Sequence, residues 1–130
     1  PPNASHARPE HRTPNLCGAG TPSRDVTYIE NVVDATLRAI ASPAEKVSGR
    51  TFNVATEQRT TLTDAVNSLR ELTGYTGAVE YAPARTGDIA HSLADISRAR
   101  AALGYEPNVN PHQGLRRTLL WYRGLAVATQ

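Results

Sequence analysis

Two arginines stand in short polar stretches where a guanidinium could do chemistry: Arg24 of Arg24-Asp25, and Arg85 of Arg85-Thr86-Gly87-Asp88. A guanidinium matches phosphate oxygens bidentately, so two of them from separate loops could clamp a diphosphate. Gly87 permits a tight turn between the opposite charges of Arg85 and Asp88. The competing reading pairs Arg24 and Arg85 with Asp25, Asp88 or another surface carboxylate, and spacing alone favours it. Asn53 lies inside an apolar stretch, where a buried amide would demand partners.

Other chemistry is thin. Gly18-Ala19-Gly20 is an isolated G-x-G followed by Thr21-Pro22-Ser23 instead of a helix start. That is the wrong context for a glycine-rich turn that brings backbone against a pyrophosphate. There is no P-loop, no nucleophile elbow and no paired-histidine zinc motif. His6 and His11 flank Arg8-Pro9 but supply only two ligands, so no metal site is expected. The single cysteine, Cys17, makes neither a disulfide framework nor a cysteine-based zinc site. Serine, histidine and aspartate occur without triad spacing, and no residue is assigned a catalytic role. Asn3-Ala4-Ser5 matches a glycosylation sequon, with no secretory signal beside it.

The elements that must position these side chains follow from periodicity. Residues 1–23 are rich in Pro, Gly, Ser and Asn and nearly free of large apolar side chains, so they read as an irregular leader. The run Val26-Thr27-Tyr28-Ile29 predicts a first strand. Asn31 reads as a helix cap, with Val33, Leu37, Ile40 and Ala41 at helical spacing up to Pro43. Thr51-Phe52-Asn53-Val54-Ala55 predicts a second strand. Thr61 and Asp64 form a capping-box variant that opens the clearest helix, with Leu62, Ala65, Val66, Leu69 and Leu72 as its apolar stripe and Gly74 as its stop. Val79-Glu80-Tyr81 predicts a third strand. Asp95 caps a short helix carrying Ile96, Ala99, Ala102 and Leu103. Asn110-Pro111 opens a last helix with Leu115, Leu119, Tyr122 and Leu120 on its expected buried side. Strands alternate with helices, so the class is α/β or α+β.

At 130 residues and 39% apolar, the chain is one domain's worth of protein with a modest core. It contains no methionine and opens on Pro1, which suggests a fragment or a processed chain. The net charge of +2 resides in residues 1–24, where Arg8, Arg12 and Arg24 face Glu10, and the remainder is balanced. With a single lysine, Lys46, no nucleic-acid partner is expected. No apolar run approaches the ~18 residues of a membrane span, and no signal peptide opens the chain. No membrane association and a cytoplasmic location are expected.

Taken in order, the motifs resemble a family. The segment Gly18-Ala19-Gly20-(x)₃-Arg24-Asp25-Val26-Thr27-Tyr28-Ile29-Glu30-Asn31-Val32-Val33-Asp34-Ala35 is similar to the GxGxxxRDFxYVxDVVxA segment of NAD-dependent sugar epimerases and dehydratases, which are extended short-chain dehydrogenase/reductases. The likeness continues through Phe52-Asn53-Val54-Ala55, Thr61-Leu62, Arg85-Thr86-Gly87-Asp88, Ser92-(x)₂-Asp95 and Ser97-Arg98-Ala99. Leu103-Gly104-Tyr105-(x)-Pro107 and Gly114-Leu115-(x)₃-Leu119-(x)-Trp121-Tyr122 complete it. It runs from about Thr13 to Arg123 and is nearest in motif to the UDP-glucose 4-epimerase branch. Residues 1–12 do not resemble the family's preceding segment.

The resemblance implies an α/β fold: the C-terminal, substrate-binding portion of an extended Rossmann-type epimerase over residues 24–125, with short strands alternating with helices behind the irregular leader of 1–23. It implies that Arg24 and Arg85 hold the diphosphate of a UDP-sugar and that Asp88 helps fix the nucleoside end. Tyr28 and Asn53 would support the fold. The family reaction inverts C4 of a UDP-hexose through a 4-keto intermediate, with NAD taking and returning the hydride. The family's GxxGxxG turn, its catalytic Ser or Thr and its Tyr-x-x-x-Lys pair are absent, since none of the five tyrosines has Lys at the fourth position after it. The expectation is a truncated family member that binds no NAD and turns over no sugar alone, with an N-terminal domain complementing it in a full-length parent. The residues also leave open a non-catalytic module that binds a nucleotide-sugar or a partner chain, or a poorly folded remnant.

Overall fold

The computed structural model describes residues 13–84 and 86–128. The sequon at Asn3, the histidines His6 and His11, and Arg85 lie outside the described residues. In chain order the elements are β1 (Asn15–Cys17), β2 (Ser23–Asp25), α1 (Ile29–Ala41), α2 (Ala44–Val47), β3 (Arg59–Thr61), α3 (Leu62–Thr73), β4 (Glu80–Ala82), α4 (Ser97–Leu103) and α5 (Pro111–Ala128). β1 pairs with β4 and β2 with β3, and short strands and helices together make an α/β fold. No helix among the described residues is long and apolar enough to cross a membrane. The chain divides into two compact units: the described residues up to Ser23 with Thr60–Ser92, and Arg24–Arg59 with the residues from Leu93 onward.

In the first unit β1 and β4 run parallel, with Asn15 opposite Glu80, Leu16 opposite Tyr81 and Cys17 opposite Ala82. Parallel strands need a long crossover, and α3 lies within it. The leader is therefore not wholly irregular. Leu16 is buried, and Glu80 N–H and Gly18 N–H extend the ladder to Pro14 O and Ala82 O. No alternation marks three residues as a strand; the distant partner makes them one.

α3 begins as the sequence indicates. The Thr61 hydroxyl accepts from Asp64 N–H at 3.0 Å, and the Asp64 carboxylate accepts from Thr61 N–H at 3.0 Å. Leu62 N–H and Thr63 N–H donate to Pro22 O and Gly20 O, so the helix's first three donors all have protein partners. Gly20 must be glycine: at φ +78° an added Cβ would stand 2.4 Å from Thr63 Oγ1. Gly74 closes the helix in the left-handed conformation. The two Thr61 bonds, side chain first, hold the Asp64 carboxyl below its ordinary value of 3.8. The carboxylate's support of α3 is thus complete above that value and is lost as pH falls through the lowered one. Thr61→Ala should cost about 1 kcal/mol in urea unfolding and shrink that acid-side loss. An unchanged acid limb would show the capping box to be idle.

The second unit holds the main core: Ala35, Ala55, Ile96, Ala99, Leu103 and Tyr105. α1 and α4 meet through alanines, which lets the helices approach closely. Tyr105 is fully enclosed and its hydroxyl donates to Ala55 O at 2.9 Å. Burial, with the charges of Asp34, Asp25 and Glu106 behind it, raises the Tyr105 phenol above its usual range.

Several sequence expectations are corrected in this unit. Asn31 is no cap: Tyr28 holds that position, the helix begins at Ile29, and Val26–Ile29 is not a strand. Asn31 is the third residue of α1, where only 1% of it is exposed, and it ties α1 to the chain before α5. Thr51–Ala55 is not a strand either, although Phe52, Val54 and Ala55 still feed the core. Asn53 is exposed and makes one 3.2 Å bond to Asp95 O. Asp95 does not cap α4, whose cap position is Ile96, but it accepts from Ser97 N–H at 2.8 Å, and that bond lowers its pKa. On α1 the expected apolar stripe faces outward: Val33, Leu37 and Ile40 are 48–76% exposed and Ala41 is exposed with them, while Asn31 and Ala35 are buried. On α5, Leu120 and Tyr122 are likewise exposed.

Asn110 and Gln113 exchange side-chain to backbone bonds at 3.1 and 2.9 Å, so the start of α5 is capped as expected. Gly114 lets α5 pass Tyr28, whose Cβ would lie 2.9 Å from any added Cβ. Arg117 then pairs with Glu30 and lies 5.7 Å from the centre of the Tyr28 ring. Tyr28 is therefore a packing residue.

Candidate functional site

The second residue of β2 is Arg24 and the third is Asp25, both half-buried. Asp25 organises the site. Its Oδ1 accepts from Thr56 N–H at 2.9 Å and from the Thr56 hydroxyl at 2.6 Å. Its Oδ2 accepts from Glu57 N–H at 3.0 Å and from Ala94 N–H at 3.4 Å. One carboxylate therefore fixes two loops, 55–57 and 93–95, against the strand that carries Arg24. Charge-assisted bonds of this kind are about twice as strong as neutral ones.

Glu57 completes the lock. Its φ of +54° is unusual for a residue with a side chain and persists only when neighbours enforce it. Its carboxylate accepts from Ile96 N–H at 3.4 Å and pairs with Arg100 at 2.9 Å. Arg100 also pairs with Glu106 at 2.5 Å, and these two carboxylates, Glu106 foremost, raise its pKa further. In the other unit, Ser23 is buried; its backbone bonds Ala90 O and Ser92 N–H, and its hydroxyl shares a 2.9 Å bond with His91 Nδ1.

The candidate residues are thus distributed. Arg24 belongs to the second unit, and Asp88 is an exposed residue of the first, just after the turn at Thr86-Gly87. Neither unit by itself brings the two together. The reading of Asp25 as a mere surface counter-ion missed its role as a loop anchor. The signal was indirect: Asp25 directly precedes Val26-Thr27-Tyr28-Ile29, and a carboxylate beside apolar chain needs donors. Glu57 and Thr56 gave no such signal, because a positive φ and a distant acceptor leave no local pattern.

The Gly18–Gly20 turn is not built to hold a dinucleotide's pyrophosphate. The one glycine pair has Gly18 N–H bound to Ala82 O and Gly20 O bound to Thr63, and the chain continues into β2. The α3 end beside it has its donors satisfied, so neither element offers N–H groups to a pyrophosphate. No cluster of three or more His, Cys, Asp or Glu side chains that could hold a metal occurs among the described residues.

Comparison with known proteins agrees with the motifs. A model of the NAD dependent epimerase/dehydratase family matches residues 3–55. The likeness therefore starts well before Thr13, which corrects the expectation that residues 1–12 stand apart. The UDP-glucose 4-epimerase of Mycolicibacterium smegmatis is 34% identical over 112 residues, covering 86% of this chain and 35% of that protein. The crystal structure of UDP-glucose 4-epimerase with UDP-glucose from Thermotoga maritima matches with a TM-score of 0.81 at 32% identity, over 90% of this chain and 37% of that one. The UDP-glucuronic acid 4-epimerase of Bacillus cereus, in complex with UDP-glucuronic acid and NAD, matches at 0.79 and 25% identity, over 87% and 36%. The chain spans little more than a third of the length of these relatives. With the ordered motifs, the α/β fold and these likenesses together, the chain belongs to the NAD-dependent epimerase/dehydratase family.

Proposed function

We propose that this chain supplies the nucleotide-sugar-holding part of a UDP-hexose 4-epimerase, with Arg24 and Arg85 on the diphosphate and Asp88 at the nucleoside end. The observation that carries this reading is the likeness, over nine-tenths of the chain, to an epimerase structure that holds UDP-glucose. The Asp25 anchor supports it, because a guanidinium acts on a diphosphate only from a backbone that stays in place. Hydride and proton transfer are assigned to residues outside these 130, in a complementary dinucleotide-binding part that covers the exposed stripe of α1. Slower amide exchange in α1 when the rest of a relative's chain is added would support that complement, and unchanged exchange would remove it.

A second reading, a nucleotide-sugar-binding module without turnover, is favoured by the lack of Tyr-x-x-x-Lys and GxxGxxG in this sequence. Both readings require binding. UDP titrated into the full chain should shift amide resonances around Arg24 and Asp88. Arg24→Ala should weaken binding by about tenfold or more, as loss of a charge-assisted phosphate contact would. No shift at millimolar UDP would overturn both readings, and equal affinity in the variant would show that Arg24 is no ligand.

A further inference from the structure

A second basic feature lies wholly within the second unit and uses none of the residues assigned above. α2 and α4 flank an open cavity of about 340 Å³. That is within the size range of small-molecule sites. Its existence follows from residue sizes. Arg98, Ala101 and Ala102 lie at i, i+3 and i+4 on one face of α4, beside the buried Ala99. The two alanines leave open the space that longer side chains would fill. Val47 and Phe52 pack on the core, so Lys46 and Arg50 are carried to the cavity wall, and Phe52 keeps part of its ring facing in.

The wall is apolar and the rim is cationic. Lys46, Arg50 and Arg98 face a single carboxylate, Glu45. Arg50 reaches Glu45 only through its backbone carbonyl, at 3.3 Å. The side chains of Lys46 and Arg98 make no hydrogen bond or ion pair with any described residue. Arg100, two positions after Arg98, is held by two carboxylates. Surface arginines are cheaply neutralised by neighbouring acids, as Arg38 and Arg117 are by Asp34 and Glu30. A concave site that keeps several cations beside an aromatic face and alanines has the complementarity of a small amphipathic anion.

We propose that this cavity binds an aryl phosphate: a compact apolar ring seated on Phe52, Ala101 and Ala102, with its phosphate between Lys46 and Arg98. The site is independent of the nucleotide-sugar reading. Phenyl phosphate titrated into the full ¹⁵N-labelled chain tests it, with phenol and inorganic phosphate as the separate halves. Phenyl phosphate should shift the amides of Phe52, Ala101 and Ala102 and bind about tenfold tighter than either half. Arg98→Ala and Lys46→Ala, both at exposed positions, should each weaken it about fivefold or more. Ala101→Leu, which fills the cavity without touching charge, should abolish it, and Arg24→Ala should leave it unchanged. Raising the salt concentration should weaken binding, because the rim charges are solvent-screened. Affinity no better than that of inorganic phosphate, insensitivity to Arg98→Ala, or shifts centred on Arg24 would each overturn the proposal.

Discussion

Asn31→Ala is expected to destabilise the second unit by about 3 kcal/mol, a large share of what a domain this size possesses. The Asn31 amide donates to Val109 O at 2.8 Å and accepts from Asn108 N–H and Val109 N–H at 3.0 Å each. Val109 is 1% exposed, so water cannot replace these bonds. Truncation leaves both its N–H and its carbonyl buried and unsatisfied, at about 1–3 kcal/mol for each. The lost amide also opens a gap where α1 meets the turn into α5. Asn53→Ala is the matched control: its one bond is at an exposed site and should contribute under about 1 kcal/mol. Urea unfolding followed by circular dichroism distinguishes the two. Equal midpoints would mean that the Asn31 bonds do not hold α1 to the 108–109 segment.

What was legible in the sequence depended on how far each interaction reaches along the chain. The start and stop of α3 are local, set by Thr61, Asp64 and Gly74, and they appear in the structure as read. Ile96, Ala99 and Leu103 likewise showed their buried face through their spacing. β1 and β4 could not be read so, because a three-residue strand is defined by a partner more than sixty positions away. Thr51–Ala55 has strand composition but no ladder partner, and its apolar side chains reach the core from an extended segment. α1 is the instructive failure. Its periodicity identified a helix, yet Val33, Leu37 and Ile40 point outward and Ala35 and Ala39 inward. Periodicity reports that a face is suited to burial, and a partner must be present to bury it. At the candidate site, Arg24 and Asp88 were visible as residue types, whereas the Asp25 network joins positions 25, 56, 57 and 94 and emerges only on folding.

Asp25→Asn tests that network and the functional reading together. The substitution keeps size and shape but replaces one acceptor oxygen with an NH₂ group. All four groups that meet the carboxylate are donors: Thr56 N–H, the Thr56 hydroxyl, Glu57 N–H and Ala94 N–H. In either amide orientation a donor therefore faces a donor. The loss of charge-assisted bonds should cost about 3 kcal/mol and lower the melting temperature by on the order of 10 °C. Glu57 loses the contact that holds its backbone at positive φ, and it relaxes unless Arg100 and Ile96 N–H restrain it. The 55–57 loop then moves relative to the strand carrying Arg24. UDP binding should consequently fall at least as far as in Arg24→Ala, although Arg24 is intact and the net charge rises by one. A purely electrostatic account predicts the reverse, because removing an acid beside Arg24 would favour an anionic ligand. Asp88→Asn supplies the contrast, weakening UDP while leaving the Asp25 bonds to Thr56, Glu57 and Ala94 intact. Tighter UDP binding in Asp25→Asn would show that Asp25 acts on Arg24 as a competing charge. An unchanged melting temperature would show that the four bonds do not hold the two loops in place.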